Sequence, residues 1–232
     1  MITVRKAADR GHTQIGWLDS HHSFSFNTYH DQAHMGFRSL RVINDDRVAA
    51  GAGFPRHGHR DMEILTWVLE GALEHEDSTG ARAVLLPGMI QRMSAGSGIV
   101  HSEYNHSKSE PVHFYQIWIQ PSAKGIEPRF EDRSFPAEGR TNKFQIVASP
   151  EGEDGSPELA QDATVLVAAI APGAEVQQTL PPGRYGWLQV ARGTIELNGI
   201  LLESGDGAAV SEESSLTIKG LKQADLILFD LS

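Results

Sequence analysis

The 232-residue sequence contains no cysteine. That absence excludes a disulfide framework, thiolate zinc sites, iron–sulfur clusters and a thiol nucleophile. Any metal would have to be held by histidine and carboxylate. No apolar run approaches the roughly 18 residues of a membrane-spanning helix; the longest is 165–171. The opening residues Met1–Asp9 lack the apolar core of a secretory signal. Basic residues are in the minority, 20 against 30 acidic, for a formal net charge of −10. A surface of that sign repels phosphate backbones, which argues against direct contact with nucleic acid. These absences lead to the expectation of a soluble, cytoplasmic protein with neither membrane nor nucleic acid among its partners. The length suffices for one large domain or two small ones, and folding should bury roughly 70% of the unfolded chain's surface.

Long stretches of helical periodicity are also scarce. Instead, 23 glycines and 11 prolines cut the chain into short segments rich in Val, Ile, Leu, Trp and Tyr, such as 40–43, 63–69, 112–119, 164–170 and 225–231. Strand-length apolar segments bounded by turn residues predict an all-β sandwich or barrel. A repeat is visible within this pattern. Trp67–Gly71 resembles Leu188–Gly193, an apolar strand closed by glycine, and Leu86-Pro-Gly88 parallels Ser204–Gly207. Two copies of one β unit fit the length. The stretch 120–141, rich in Pro, Gly and charge, reads as a linker. The boundary is placed near 135, giving domains 1–135 and 136–232.

All 11 histidines lie between His12 and His113. The first half is therefore expected to carry the chemistry. His57 and His59 stand at i and i+2, and on a strand both rings share one face. His101 and Glu103 repeat that spacing. Two such strands meeting inside a small barrel would offer three imidazoles and a carboxylate to one divalent ion. The remaining candidates read as structural. His22 packs near the end of a strand over 20–27 with Phe24 and Phe26. His75 lies on a solvated hairpin arm. His113, Met35 and Phe37 belong to the core, and Trp17, Trp67, Trp118 and Trp187 anchor it.

Gly51, five residues, His57-x-His59, three residues and Glu63, followed by a hydrophobic strand, resembles the first cupin motif, although Gly71 arrives one residue late. Gly98, His101 and Asn105 resemble the second motif, with Gly96 where proline is usual. The chain more closely resembles the pirin family, a bicupin branch of that superfamily, and within it the bacterial pirin-like quercetin 2,3-dioxygenases. Gly16-Trp-Leu-Asp-Ser20, Ser23-Phe-Ser-Phe26, Met35-Gly-Phe37, 40–46, 61–66 and 93–105 carry the resemblance, which extends over nearly the whole chain.

That resemblance implies an all-β bicupin: two tandem cupin β-barrels of the jelly-roll, or double-stranded β-helix, type. It implies the ligand set His57, His59, His101 and Glu103, with Glu103 also the catalytic base. Strand period alone allows Glu63, which other cupins use, as the carboxylate; the resemblance favours Glu103 and leaves Glu63 a supporting role. One divalent transition metal per chain is expected, iron first, with copper, nickel, manganese and zinc as alternatives. Aligning Gly193 with Gly71 puts Thr179 and Pro181 where His57 and His59 stand, so the second repeat should hold no metal. Three neutral imidazoles, one carboxylate and a divalent ion sum to about +1, a charge that a phenolate would neutralise strongly in a dry barrel. The implied reaction is cleavage of a flavonol ring by O2 with loss of carbon monoxide. The alternative is a non-enzymatic metal-binding pirin acting as a redox-responsive regulator through a protein partner. A monomer is expected, and metal affinity should fall below about pH 6.5, where free histidine protonates.

Overall fold

The computed structural model describes all 232 residues and is almost entirely β. In chain order the strands begin β1 (Ile2–Arg5), β2 (Gly11–Ile15), β3 (Leu18–His22), β4 (Leu40–Val48), β5 (Gly53–His59), β6 (Glu63–Glu70) and β7 (Leu73–Asp77). They continue β8 (Arg82–Leu85), β9 (Met89–Ser94), β10 (Ile99–Asn105), β11 (Val112–Ile119), β12 (Arg129–Ser134), β13 (Gln145–Ala148) and β14 (Ala163–Ile170). The last are β15 (Glu175–Thr179), β16 (Tyr185–Arg192), β17 (Thr194–Leu197), β18 (Ile200–Glu203), β19 (Gly207–Val210), β20 (Ser215–Gly220) and β21 (Ala224–Leu231). The one α-helix is a single turn, Ala137–Arg140.

The chain divides into two compact units. One comprises Gly11–Phe135 with Leu159–Gln161; the other comprises Met1–Arg10, Pro136–Glu158 and Asp162–Ser232. The first ten residues belong with the C-terminal half because β1 pairs antiparallel along β19. The first unit holds sheets ordered β12-β9-β6-β11-β4-β3-β2 and β5-β10-β7-β8. The second holds β1-β19-β16-β21-β14-β13 and β15-β20-β17-β18. Without their outer strands the two orders coincide, every strand matching one ten places later in the chain. Each unit is thus the two-sheet barrel of a jelly roll.

The turn glycines of the repeat occupy equivalent corners. Gly71 and Gly193 have φ of 75° and 84°. A Cβ would lie 2.7 Å from the Pro111 carbonyl oxygen at the first and 2.1 Å from that of Gln223 at the second. Only glycine fits these corners without strain.

Residues 120–141 are not all linker: β12 lies within them and pairs with β9 over six residues. The buried Arg92 anchors it, donating to Glu131 at 2.9 Å. Met35, expected in the core, is exposed.

The second barrel is filled with hydrocarbon. Leu216 and Ile218 of β20 are fully buried within a cluster that includes Ile195, Leu197 and Val190. Their partners on β15 are Gln178 and Val176. Thr179 ends that strand and Pro181 lies beyond it, so neither stands across from the buried positions as the sequence alignment had it.

Candidate metal centre

In the first barrel, β5 and β10 bring the histidines together. β10 alternates strictly, with Ile99, His101, Glu103 and Asn105 buried. His57 lies opposite His101, and His59 opposite Ile99. Glu103 then faces Phe54, so β5 carries one extra residue between them. The bulge contains Pro55, which has no N–H to offer a ladder and is tolerated on an edge strand at such a place. It also leaves the Pro55 carbonyl 2.8 Å from His57 Nδ1. His57 donates there from Nδ1–H, leaving the lone pair on Nε2.

The rings of His57, His59 and His101 lie 4.4 to 4.8 Å apart, centroid to centroid. Ligand nitrogens of all three fall within 4.8 Å of one another. Burial, reinforced by the neighbouring imidazoles, lowers His59 to about 4 and His101 to about 3. Both rings are therefore neutral, the form that binds metal.

A buried chain orients His101. Its Nδ1 lies 3.4 Å from His75 Nδ1, and His75 Nε2 lies 3.4 Å from Asp77 Oδ2. Burial alone would raise the Asp77 pKa. Hydrogen bonds from the Thr79 hydroxyl and N–H, from His75 and from the Ala81 N–H outweigh it and hold the carboxyl below its ordinary value. An ionised Asp77 accepts a hydrogen bond from His75 Nε2–H, so His75 Nδ1 accepts from His101 Nδ1–H. Gln91 Nε2 donates to the same atom at 3.3 Å. The lone pair of His101 then sits on Nε2, a buried atom with no protein partner. Such an orphan beside two other imidazoles fits a metal ion.

His75 is therefore fully buried, contrary to the solvated arm expected for it. β10 covers β7, pairing His75 with Glu103, and Phe130 stacks on the ring at 4.8 Å. The spacing of Leu73, His75 and Asp77 was the available signal, since all three are buried at alternate positions. His75→Phe should keep the packing volume and lose the acceptor. We expect metal affinity to fall roughly 10–100-fold with one ion still bound at saturation. A chelator competition showing unchanged affinity would remove His75 from this role.

Glu103 is 2% exposed and receives Gln116 Nε2 at both carboxylate oxygens, 3.1 and 2.9 Å. Thr66 donates to Gln116 Oε1 at 2.8 Å, which fixes the amide orientation. In this barrel interior Glu103 groups with His75 and His101, and His57, His59 and His101 form a second group that shares His101. Glu63 turns elsewhere. It accepts from Ser94 at 2.9 Å and from the Ala160 N–H at 3.4 Å. His113 is buried against Asp45 at 2.6 Å, as a core histidine.

Above the imidazoles lies a cavity of about 340 Å³. His57, His59 and Glu103 line it, with Phe26, Phe54 and Trp118 as aromatic walls. β3 ends at His22 rather than running to residue 27. His22 is buried and is itself part of the wall, donating from Nδ1 to Asn44 Oδ1 at 2.8 Å. Two further wall groups escaped the sequence reading. Asp46 Oδ1 and Trp118 Nε1 are buried without a hydrogen-bond partner. Burial is the main cause that raises Asp46 to about 7, and the Asp45 and Glu103 charges add to it against the Ser20 hydrogen bond.

Between about pH 4 and 7 the folded protein holds the Asp46 proton more tightly than the unfolded chain. Stability from this group therefore falls as pH rises through that window, by at most about 1.4 kcal/mol per pH unit. Asp46→Asn should abolish that contribution and stabilise the metal-free protein above pH 7. Urea unfolding of both proteins at several pH values checks it; parallel curves would refute the assignment.

Two jelly-roll barrels in one chain, with imidazoles gathered in only one of them, define a bicupin. Residues 3–119 match the family model described as Pirin, and residues 146–231 match that described as Quercetinase C-terminal cupin domain. The chain belongs to the pirin family. It is 46% identical to quercetin 2,3-dioxygenase of Escherichia coli K12 over 100% of this chain and 99% of that protein. It is 41% identical to a pirin-like protein of Caulobacter vibrioides, covering 97% and 98%. The crystal structure of the bacterial pirin YhhW from Escherichia coli in complex with nickel(II) superposes with a TM-score of 0.94 at 45% identity, covering 100% of this chain and 99% of that one.

Proposed function

We propose that this pirin is a metal-dependent dioxygenase that cleaves the central ring of a flavonol such as quercetin at a mononuclear His57–His59–His101–Glu103 centre. The observation that carries the reading is the convergence of three imidazoles beneath an aromatic-walled cavity, with a buried carboxylate beside them. Relatives named quercetin 2,3-dioxygenase and a nickel-bound family structure support it. One divalent transition ion per chain would supply Lewis-acid polarisation of a hydroxyl and a redox-capable centre for O2.

The chain's own residues do the rest. Phe26, Phe54 and Trp118 hold a flat aromatic substrate and exclude water. Glu103, steadied by Gln116, takes the proton of the substrate hydroxyl at a carboxylate oxygen. The resulting oxyanion matches the net positive site. Trp118 N–H and Asp46 offer an unused donor and an unused carboxylate oxygen to ring hydroxyls. O2 then adds across the two ring carbons that flank the oxyanion-bearing carbon. The O–O bond and both C–C bonds to that carbon break, and it leaves with its own oxygen as carbon monoxide. The flanking carbons keep one O2 oxygen each, giving an ester that bears a carboxylate.

The test is aerobic quercetin turnover by metal-free protein reloaded separately with iron, copper, nickel, manganese or zinc. Loss of flavonol absorbance and release of carbon monoxide are followed. Turnover is expected with a redox-capable ion and absent from the metal-free protein. No turnover by any fully loaded form would overturn the reading in favour of a non-enzymatic regulator.

A further inference from the structure

The hairpin β2–β3 has two chemically distinct faces. Its inner face presents Thr13, Ser20 and His22 to the cavity. Its outer face carries His12, Asp19 and His21. His12 lies directly across from His21, and Asp19 is one same-face position along β3. Their imidazoles stack at 4.3 Å with an interplanar angle of 13°. Asp19 Oδ1 lies 2.8 Å from His12 Nε2 and 3.7 Å from His21 Nδ1. All three ligand atoms fall within 4.8 Å of one another.

These spacings suit one ion. With metal–ligand bonds of about 2.0–2.2 Å, neighbouring ligand atoms sit roughly 3–4 Å apart. Two imidazoles and one carboxylate are the donor set of zinc, nickel and copper sites that keep open positions for water. The half-exposed setting of all three side chains leaves those positions accessible. The antiparallel β2–β3 pair sets the three donors side by side before any ion binds, so little ordering remains to be done on binding. On the adjacent strand, Asp45 lies opposite His21 and Arg47 opposite Asp19, so their charges offset.

We infer that His12, Asp19 and His21 form a second, solvent-facing transition-metal site, independent of the interior cluster. Its occupancy braces the hairpin whose other face walls the cavity.

Equilibrium dialysis of the zinc-loaded protein against zinc from micromolar to millimolar concentration, read by plasma mass spectrometry, tests it. Wild type should saturate at two ions per chain. His12→Ala and His21→Ala should each lose one, and Asp19→Asn should weaken the same one. His101→Ala should retain the outer ion, and His101→Ala with His12→Ala should retain none. This series separates failure of the outer site from failure of the interior one. Uptake by His12→Ala and His21→Ala equal to that of wild type would overturn the proposal, as would saturation of wild type at an ion count that neither substitution lowers.

Discussion

Replacing His101 by alanine should leave a folded protein that no longer retains the interior ion. Of the three clustered imidazoles it is the only one fully buried. Its Nε2 is the orphan atom that the geometry reserves for a ligand. The loss should exceed the roughly 10–100-fold expected for a residue that only orients a ligand. At limiting metal the interior stoichiometry should fall from about one toward zero, and quercetin turnover should fall to the level of metal-free protein. Metal should also cease to protect against heat. An ion at 100 times its dissociation constant stabilises the wild type by about 2.7 kcal/mol, and that increment should disappear from the variant. His75 keeps the Gln91 hydrogen bond in the variant, so no buried donor or acceptor there is stranded entirely. A His101→Ala protein that still held one tightly bound ion at limiting metal would show the ligand set to be wrong.

Gly53→Ala should damage the same centre without touching a ligand. Gly53 of β5 pairs with Tyr104 of β10. A Cβ there would stand 2.2 Å from the Glu103 carbonyl oxygen and 2.5 Å from Tyr104 Cα. Both obstacles are backbone, so no side chain can swing aside. The strands must separate, at a cost of about 1–3 kcal/mol. Separation also pulls His57 and His59 away from His101. We therefore expect lower unfolding stability by denaturant titration together with weaker metal binding by chelator competition. Unchanged metal affinity in a destabilised variant would show that the strand spacing does not set the centre.

The sequence carried the parts of this molecule that depend on short spacings. His57-x-His59 and His101-x-Glu103 show which side chains share a strand face, because period 2 is a local rule. The paired turns at Gly71 and Gly193 exposed the duplication for the same reason. What escaped depends on which strand lies beside which. Burial of His75 follows from β10 covering β7, and the strand over 129–134 exists only because β9 offers an edge. Asp46 and Trp118 line the cavity through cross-strand placement that no local motif records. Burial, which no local spacing records, lowers His59 to about 4 and His101 to about 3, below the roughly 6.5 of free histidine.

β5 forms the border of its sheet, bonded on one side to β10 and on the other to no strand. Two of the three imidazoles ride on that border, and the third is fixed in the interior. Ion entry and escape are then matters of rate as much as affinity. Lifting one border strand opens the coordination sphere, an event far cheaper than unfolding the barrel. A bound ion in turn fastens that strand down, so the loaded state slows its own release.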